Sequence, residues 1–320
     1  MERRIYLRHI GKWNIRWEQA RKINLNPKTP TTTTEELKQP PDNFMEDISN
    51  LGIPEFEGYS PNEMQYILYT PFSEKNPVKL QQLNDEGYDE MPLFRQIMYV
   101  ANMIAEKGQI KLTAKGFLPT KIVAEMYHHG NPKEKFIEMG LYKLYKERDS
   151  ITVNLTRILL EISGIAKKRK GILSLTKKGE KLLSDKPEFF KQIFTTFCTK
   201  FHWAYYDGYE TSLIGQFGFA FSLILVNKYG AKKRSVKFYA EKYFDAFPKL
   251  LEGLNEREYT PIDRLATGCY SLRTFNRFLY FFGLVRIDEA KSWEDYNEVQ
   301  KTELFDRLIH CNLKTDFSNN

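Results

Sequence analysis

The chain has 320 residues, of which 42% are hydrophobic and 28% charged, a composition that excludes a disordered polymer and suits two or three packed domains. Its 48 basic and 41 acidic side chains leave a net charge of +7, which favours a polyanionic partner without naming one. Three widely spaced cysteines, Cys198, Cys269 and Cys311, have no His pair at ligand spacing beside them and argue against a disulfide framework or a structural zinc site.

Charge falls in blocks along the chain: +6 over residues 1–34, −10 over 35–92, +9 over 93–185 and +2 over 186–320. The acidic block suggests either neutralisation within the chain or a segment that shields a basic surface, with ordinary solvated helix faces as the plain alternative. Residues 1–25 read as a basic N-terminal arm that mixes Trp13, Ile15 and Trp17 with Arg8, Lys12 and Arg16. Such an arm lies either on nucleic acid or on the body of its own protein. Arg3, Arg4 and Arg8 interrupt the first ten residues, so no signal-peptide core forms and a cytoplasmic location is expected. Residues 26–91 read as an acidic linker and helical segment, opened by Asn26 to Asp42 with its four prolines and threonine run. Ser60, Pro61 and Glu63 form a capping box with proline at the first helical position, and Pro71 stops that helix by Thr70.

The middle of the chain contains an internal match: KGQIKLTAKG from Lys107 and KGILSLTKKG from Lys170 agree at six of ten positions. Two copies separated by unlike material do not make a solenoid. Around them, Leu93, Ile97, Val100 and Ile104 recur at helical spacing before Gly108, and a strand is expected over Gln109 to Leu112. Helices then follow over Leu118 to His128, Lys133 to Glu147 and Asn154 to Ser163, the last closed by Gly164. Ile165 to Lys168 and Ile172 to Leu175 read as a hairpin, with Thr176 capping one more helix.

That order is the order of a winged helix-turn-helix domain, with the matched segments as its first and third strands. The ending SLTKKGEKLL, Ser174 to Leu183, resembles the Leu-Thr-x-x-Gly-x-x-Leu close of the wing in winged-helix regulators. The resemblance implies a DNA-binding fold over residues 92–185, with a departure in the extra helix Lys133 to Glu147 inside the turn. The segment Gly58 to Phe72, with KLTAKGFLP from Lys111, also resembles segments of uncharacterised bacterial proteins and implies no activity.

Residues 186–233 read as an aromatic-rich helical connector whose Phe189, Phe190, Phe194, Phe197, Phe201 and Trp203 pack a core. Leu213 to Val226 is shorter than the roughly 20 residues of a membrane helix, so it reads as a buried helix and no membrane partner is expected. Residues 234–320 read as a second winged-helix-like domain: a helix over Val236 to Leu251, a strand over Glu258 to Thr260, helices over Pro261 to Gly268 and Ser271 to Phe282, then a hairpin. Gly164 and Gly283 hold equivalent places in the two units. The expected fold class is mainly α with minor β: two winged-helix-like domains with small antiparallel wings joined by the connector.

In a DNA-binding winged helix, the second helix of the turn enters the major groove and the wing meets backbone. The first unit would offer Asn154, Arg157 and Glu161 outward, a wing of Lys167, Lys168, Arg169 and Lys170, and Lys177, Lys178 and Lys181 beyond it. The second would offer Arg273, Asn276, Arg277 and Tyr280 on one helix face, residue types able to read base edges, but a wing with Asp288, Glu289, Glu294 and Asp295 that phosphate repels. Double-stranded DNA is therefore the expected partner, with a protein partner for the second unit as an alternative. The phosphate-cradle, nucleotide-fold, serine-elbow and zinc-protease motifs do not occur, so no catalysis, cofactor or metal is expected. His128 and His129 read as helix-end charge, and His202 as a core histidine beside a possible pocket of Tyr205, Tyr206, Asp207 and Tyr209. The alternative to DNA binding is a protein-association scaffold built from the same units, because a fold does not fix a function.

Overall fold

Capping and turn chemistry set most element boundaries. The computed structural model describes residues 49–209, 211, 213–255, 260–292 and 294–314, so the N-terminal arm and the Asn26 to Asp42 linker lie outside the described residues. The first helix, α1 (Pro61–Tyr69), has the expected box: Ser60 Oγ accepts from Glu63 N at 3.3 Å and Glu63 Oε2 accepts from Ser60 N at 2.9 Å. Strand β1 (Val78–Leu80), the short α2 (Asp85–Asp89) and α3 (Pro92–Lys107) follow. Helix α3 buries Leu93, Ile97, Val100 and Ile104, the stripe expected from their spacing, and ends at Gly108 with φ +70°.

Strand β2 (Ile110–Lys111) leads to α4 (Thr120–His129). The helix expected over Lys133 to Glu147 is not there. One turn, α5 (Lys135–Glu138), is closed by Gly140 at φ +71°, where Gly140 N donates to Ile137 O and Leu141 N to Phe136 O. This is a Schellman stop, which the glycine permits because it carries no Cβ to clash in the left-handed region. Helix α6 (Ile151–Ile162) is capped by Ser150, and β3 (Ala166–Arg169) and β4 (Ile172–Leu175) meet at a two-residue turn with positive φ at both Lys170 and Gly171. Such turns match the right-handed twist of a hairpin. The internal match then closes into one sheet: β4 lies between β2 and β3, with Ile110 opposite Leu173 and Lys168 opposite the same residue.

After α7 (Lys177–Leu182) come α8 (Lys186–Thr199), a 3-10 turn at Trp203–Tyr206, and α9 (Phe219–Tyr229). Strand β5 (Arg234–Ser235), α10 (Val236–Ala246) and α11 (Ile262–Tyr270) follow, and α11 runs on as a π-helical stretch, Ser271–Leu279. Strands β6 (Val285–Asp288) and β7 (Glu298–Lys301), helix α12 (Glu303–Leu308) and β8 (Ile309–Cys311) complete the order. The second sheet is β5-β7-β6, the strand order of the first, and β1 pairs with β8. The described chain is thus mainly helical with small antiparallel sheets.

The first half of the second unit is offset from its expected outline, while α11, its extension, β6 and β7 lie at the expected residues. Its opening strand is Arg234–Ser235, so α9 and α10 stand where α3 and α4 stand in the first unit. The helix expected as continuous from Val236 to Leu251 stops at Ala246, before a 3-10 turn at Pro248–Gly253. Of the expected strand Glu258 to Thr260, residues 256–259 lie outside the described residues.

A threonine ties each hairpin to the helix after it. Thr176 Oγ1 donates to Gly164 O at 2.7 Å and accepts from Gly179 N, while Thr176 N donates to Ile165 O. Thr302 repeats this, donating through Oγ1 to Gly283 O at 2.8 Å, accepting from Phe305 N, and donating through N to Leu284 O. Gly179 is required in the first unit because a Cβ there would sit 2.1 Å from Ile165 O.

The described residues form one compact unit, held by aromatic rings. Phe190 of α8 stands 5.2 Å from Phe94 of α3 and 5.1 Å from Phe194, which lies 4.9 Å from Phe282; Phe197 lies 5.6 Å from Phe278. These rings are buried, and α8 thereby joins α3 of the first unit to the α11 extension of the second. Replacing Phe194 by Ala should cost about 3–5 kcal/mol in urea unfolding, the range for emptying a core phenylalanine site. Phe136→Ala, at a ring 55% exposed, should stay within about 0.5 kcal/mol of the parent.

Candidate nucleic-acid interface

The β3–β4 hairpin positions its cations by register. Lys111 and Arg169 both face Ile172 across the sheet, Lys167 faces Ser174, and Lys170 stands in the turn. Cross-strand partners share a face, so Lys111 and Arg169 flank Ile172 on one side of the sheet. Lys168, on the other side, donates from Nζ to Gly116 O at 3.3 Å. Lys167, Lys168, Arg169 and Lys170 are all exposed, as are Lys177, Lys178 and Lys181 of α7. Among the described residues none of these seven makes an ion pair; Lys178 donates to Gln192 Oε1 at 2.8 Å.

Four of the eight described acids of the 35–92 block, Glu57, Glu63, Asp89 and Glu90, are paired with cations outside the hairpin. Glu57 is held by Lys228 at 3.1 Å, Lys242 at 2.7 Å and the Tyr229 hydroxyl at 2.5 Å. Burial would raise its carboxyl pKa, but the hydrogen bonds from Lys242, Tyr229 and Lys228 outweigh this and hold it below the ordinary carboxylate value. Glu63 pairs with Lys314, Asp89 with Lys186 and Glu90 with Arg307. Asp85 and Asp89 line an open cleft together with Lys178 and Lys181 of α7. The cations of the hairpin tip form no ion pair with a described acid.

The helix residues expected to face DNA turn inward. Asn154 and Arg157 are buried, and Arg273 is fully buried. Glu147, itself buried, accepts two bonds from Arg157 Nη1 at 2.7 and 2.9 Å, one from Leu118 N at 2.8 Å and a longer one from Asn154 Nδ2. Arg157 Nε donates to Glu161 at 2.7 Å. Burial opposes the Arg157 charge, yet the hydrogen bonds to Glu147 and Glu161 hold its pKa above the ordinary guanidinium value. The relay then crosses to the second unit: Tyr206 OH donates to Asn154 Oδ1 at 2.7 Å, and Arg277 Nη2 donates to Tyr206 O at 2.8 Å. Asp207 accepts a two-pronged pair from Arg273 at 2.9 Å each and a bond from Arg277 at 3.3 Å, while Arg273 also reaches Ile214 O. Asn276 is half-buried beside Ser271, and Tyr280 remains exposed on this helix.

The reason is visible in α6: six consecutive residues from Thr152 to Arg157 are buried, so the helix has neighbours on every side and no polar stripe left for solvent. The signal for this in the sequence is the scarcity of charge in ITVNLTRILLEI, together with the Arg157–Glu161 spacing of four. Glu147, ten residues before its partner Arg157, carries no periodic signal.

Other candidates fall out differently. The second hairpin carries exposed Asp288, Glu289, Glu294 and Asp295, with Lys233 paired to Asp288 and Lys135 at 3.8 Å from Glu289. His202 is exposed rather than in the core. His128 and His129 are exposed at the end of α4, with His129 stacked 4.2 Å from the Tyr99 ring. Of the expected pocket residues, Tyr206 and Asp207 belong to the relay, and Tyr209 lines a surface cleft with Gly208 and Arg264. Cys198, Cys269 and Cys311 are buried and free, and burial pushes the thiols of Cys269 and Cys311 up to about 12. Among the described residues, no three His, Cys, Asp or Glu groups gather as metal ligands, and no helix is long and apolar enough to cross a membrane.

The family described as the Y4jL N-terminal domain matches residues 89–188. The matched span runs from the end of α2 to the start of α8 and so contains the first sheet, its hairpin and helix α6. No curated protein and no solved structure matches the chain.

Removing one partner of the relay should be costly. Arg157→Met leaves the buried Glu147 carboxylate unpaired and should lose about 3–5 kcal/mol in urea unfolding, and adding Glu147→Gln should recover a large part of it. Asp207 gives a pH signature. Burial raises its pKa, but the Arg273 hydrogen bonds, the Tyr209 amide and the two arginine charges bring it below the ordinary 3.8. Its stabilisation is therefore complete above the unfolded pKa and lost as pH falls through the lower folded value. Asp207→Asn should flatten the fall in stability measured by thermal unfolding below about pH 4.

Proposed function

We propose that the protein is a cytoplasmic, non-enzymatic DNA-binding protein whose two helix–sheet units are winged helices. The first hairpin holds the phosphate backbone of the duplex. The observation that carries this reading is the set of four consecutive exposed cations, Lys167 to Lys170, on a tight hairpin with no described acid paired to them. Lys177 and Lys178 extend the charge along α7. Support for the winged-helix reading comes from the strand order shared by the two sheets and from the threonine tie after each hairpin.

The burial of Asn154, Arg157 and Arg273, and the engagement of Arg277, restrict how the duplex is read. Base edges need free side-chain donors and acceptors, whereas phosphates need only exposed charge. Contact is therefore through the backbone and independent of sequence. One observation favours a second reading, a protein-association scaffold: the acidic second hairpin would be repelled by phosphate and suits a basic protein surface.

Anisotropy titration of a labelled random duplex at 50 and 200 mM salt tests the proposal. With about four phosphates neutralised by the hairpin, affinity should fall roughly a hundredfold between the two salts. The variant Lys167→Ser, Lys168→Ser, Arg169→Ser, Lys170→Asn should lower the slope of log affinity against log salt by about 3–4. Asparagine is chosen at 170 because φ there is +48° and asparagine tolerates that region. Lack of duplex binding at the lower salt overturns the proposal in favour of the scaffold.

A further inference from the structure

The segment between α4 and α6 presents large apolar side chains to solvent. Phe136 is 55% exposed, Met139 61%, Leu141 63%, Tyr142 66% and Tyr145 57%. Single exposed apolar residues are ordinary, but five within ten positions form a patch that calls for a partner. The patch is not a consequence of a loose chain. The Gly140 stop fixes Leu141 and Tyr142 on Phe136 O, and the Phe136 and Tyr142 rings meet edge to face at 5.7 Å. Thr120 Oγ1 holds Tyr145 O at 3.1 Å, while Asp149 accepts from the amides of Tyr145 and Lys146.

Cations are interleaved with these rings. Lys143, Lys146 and Arg148 are exposed on the same stretch, while Lys135 pairs with Glu289, and the acids of the stretch are used internally: Glu138 accepts from the Tyr127 hydroxyl, Glu147 is in the relay, and Asp149 holds amides. The patch is also continuous with the basic hairpin. Lys168 of β3 binds Gly116 O, and the next residue, Phe117, lies under the Arg148 guanidinium with 5.0 Å to its ring centroid. One short loop thus links the hairpin cations to the ring-bearing segment.

We infer that Phe136, Tyr142 and Tyr145 form a stacking platform for unpaired nucleobases, with Lys143, Lys146 and Arg148 holding their phosphates. The favoured ligand is a duplex carrying a single-stranded extension. The inference rests on the reading of the hairpin as a phosphate-binding wing. Rings supply sequence-tolerant stacking to bases, and neighbouring cations track the backbone, the combination that single-stranded nucleic acid requires. An apolar or anionic surface alone would account for one half of that combination and leave the other without a role.

The test compares three labelled probes on the full chain: a blunt duplex, the same duplex with a single-stranded thymine extension, and the single strand alone. The extension should tighten binding roughly fivefold or more, the effect of one stacked base. The variant Phe136→Ala, Tyr142→Ala, Tyr145→Ala should abolish that preference and leave blunt-duplex affinity unchanged. Phe136→Tyr, Tyr142→Phe, Tyr145→Phe should keep it, with both thermal midpoints near that of the parent. If the parent binds the blunt duplex but gains nothing from the extension, the platform is overturned while the hairpin reading stands. If no duplex binds but the single strand does, and the alanine variant loses it, the hairpin reading fails and the platform stands. Binding to phosphatidylserine vesicles that the alanine variant loses, without any preference for the extended probe, marks a lipid-facing patch and overturns the assignment.

Discussion

Helix α8 is the element on which the rest of this structure depends. Its phenylalanines fill the space between α3 and the end of the α11 extension, so the two sheet-bearing units share one aromatic core. A buried polar relay is tolerable only beside such packing. The Glu147–Arg157 and Asp207–Arg273 pairs lie in places that water scarcely reaches, and charged groups there are stable only with their partners held in geometry. The rings supply the burial energy and fix the distance, while the relay makes the arrangement of α6 against the α11 extension specific.

The two units carry the same strand order with opposite charge at their tips. In the first, a two-residue turn places Lys170 and Gly171 at the end of a short, cationic hairpin. In the second, the connection from Asp288 to Glu298 is longer and carries exposed Glu289, Glu294 and Asp295. Sheet and threonine tie are a scaffold common to both, and what differs is the chemistry displayed. The net charge of +7 is thus a poor description of the molecule, because opposite fields stand on equivalent hairpins.

Local signals in the sequence proved legible where one residue settles a backbone choice. Ser60, Pro61 and Glu63 announce the start of α1, Gly108 and Gly164 end α3 and α6, and Thr176 marks the start of α7. The stripe on α3 was readable because that helix buries one side more than the other. Tertiary context overrode the local pattern at two places. Strand β5 is two residues inside Lys232-Lys233-Arg234-Ser235, too short and too charged for an alternating pattern, so the opening strand and first two helices of the second unit lie elsewhere than expected, whereas α11, its extension, β6, β7 and the Thr302 cap lie where the pattern places them. Lys133 to Glu147 has helix-forming composition, but Gly140 stops the helix after one turn and its apolar side chains find no core. The candidate site was half legible. Runs of exposed lysine can be read from composition, whereas the inward direction of Asn154, Arg157 and Arg273 depends on Glu147, Tyr206 and Asp207, which are remote in sequence.

The crossing of the relay from α6 to the α11 extension through Tyr206 and Asp207 has a mechanical meaning. Swinging one unit away from the other would strip partners from buried carboxylates and guanidinium groups before any new contact could form. The molecule therefore lacks a cheap hinge at this seam. A ligand arriving at either hairpin meets a preshaped body, and its affinity must be drawn from surface already in place rather than from closure around it.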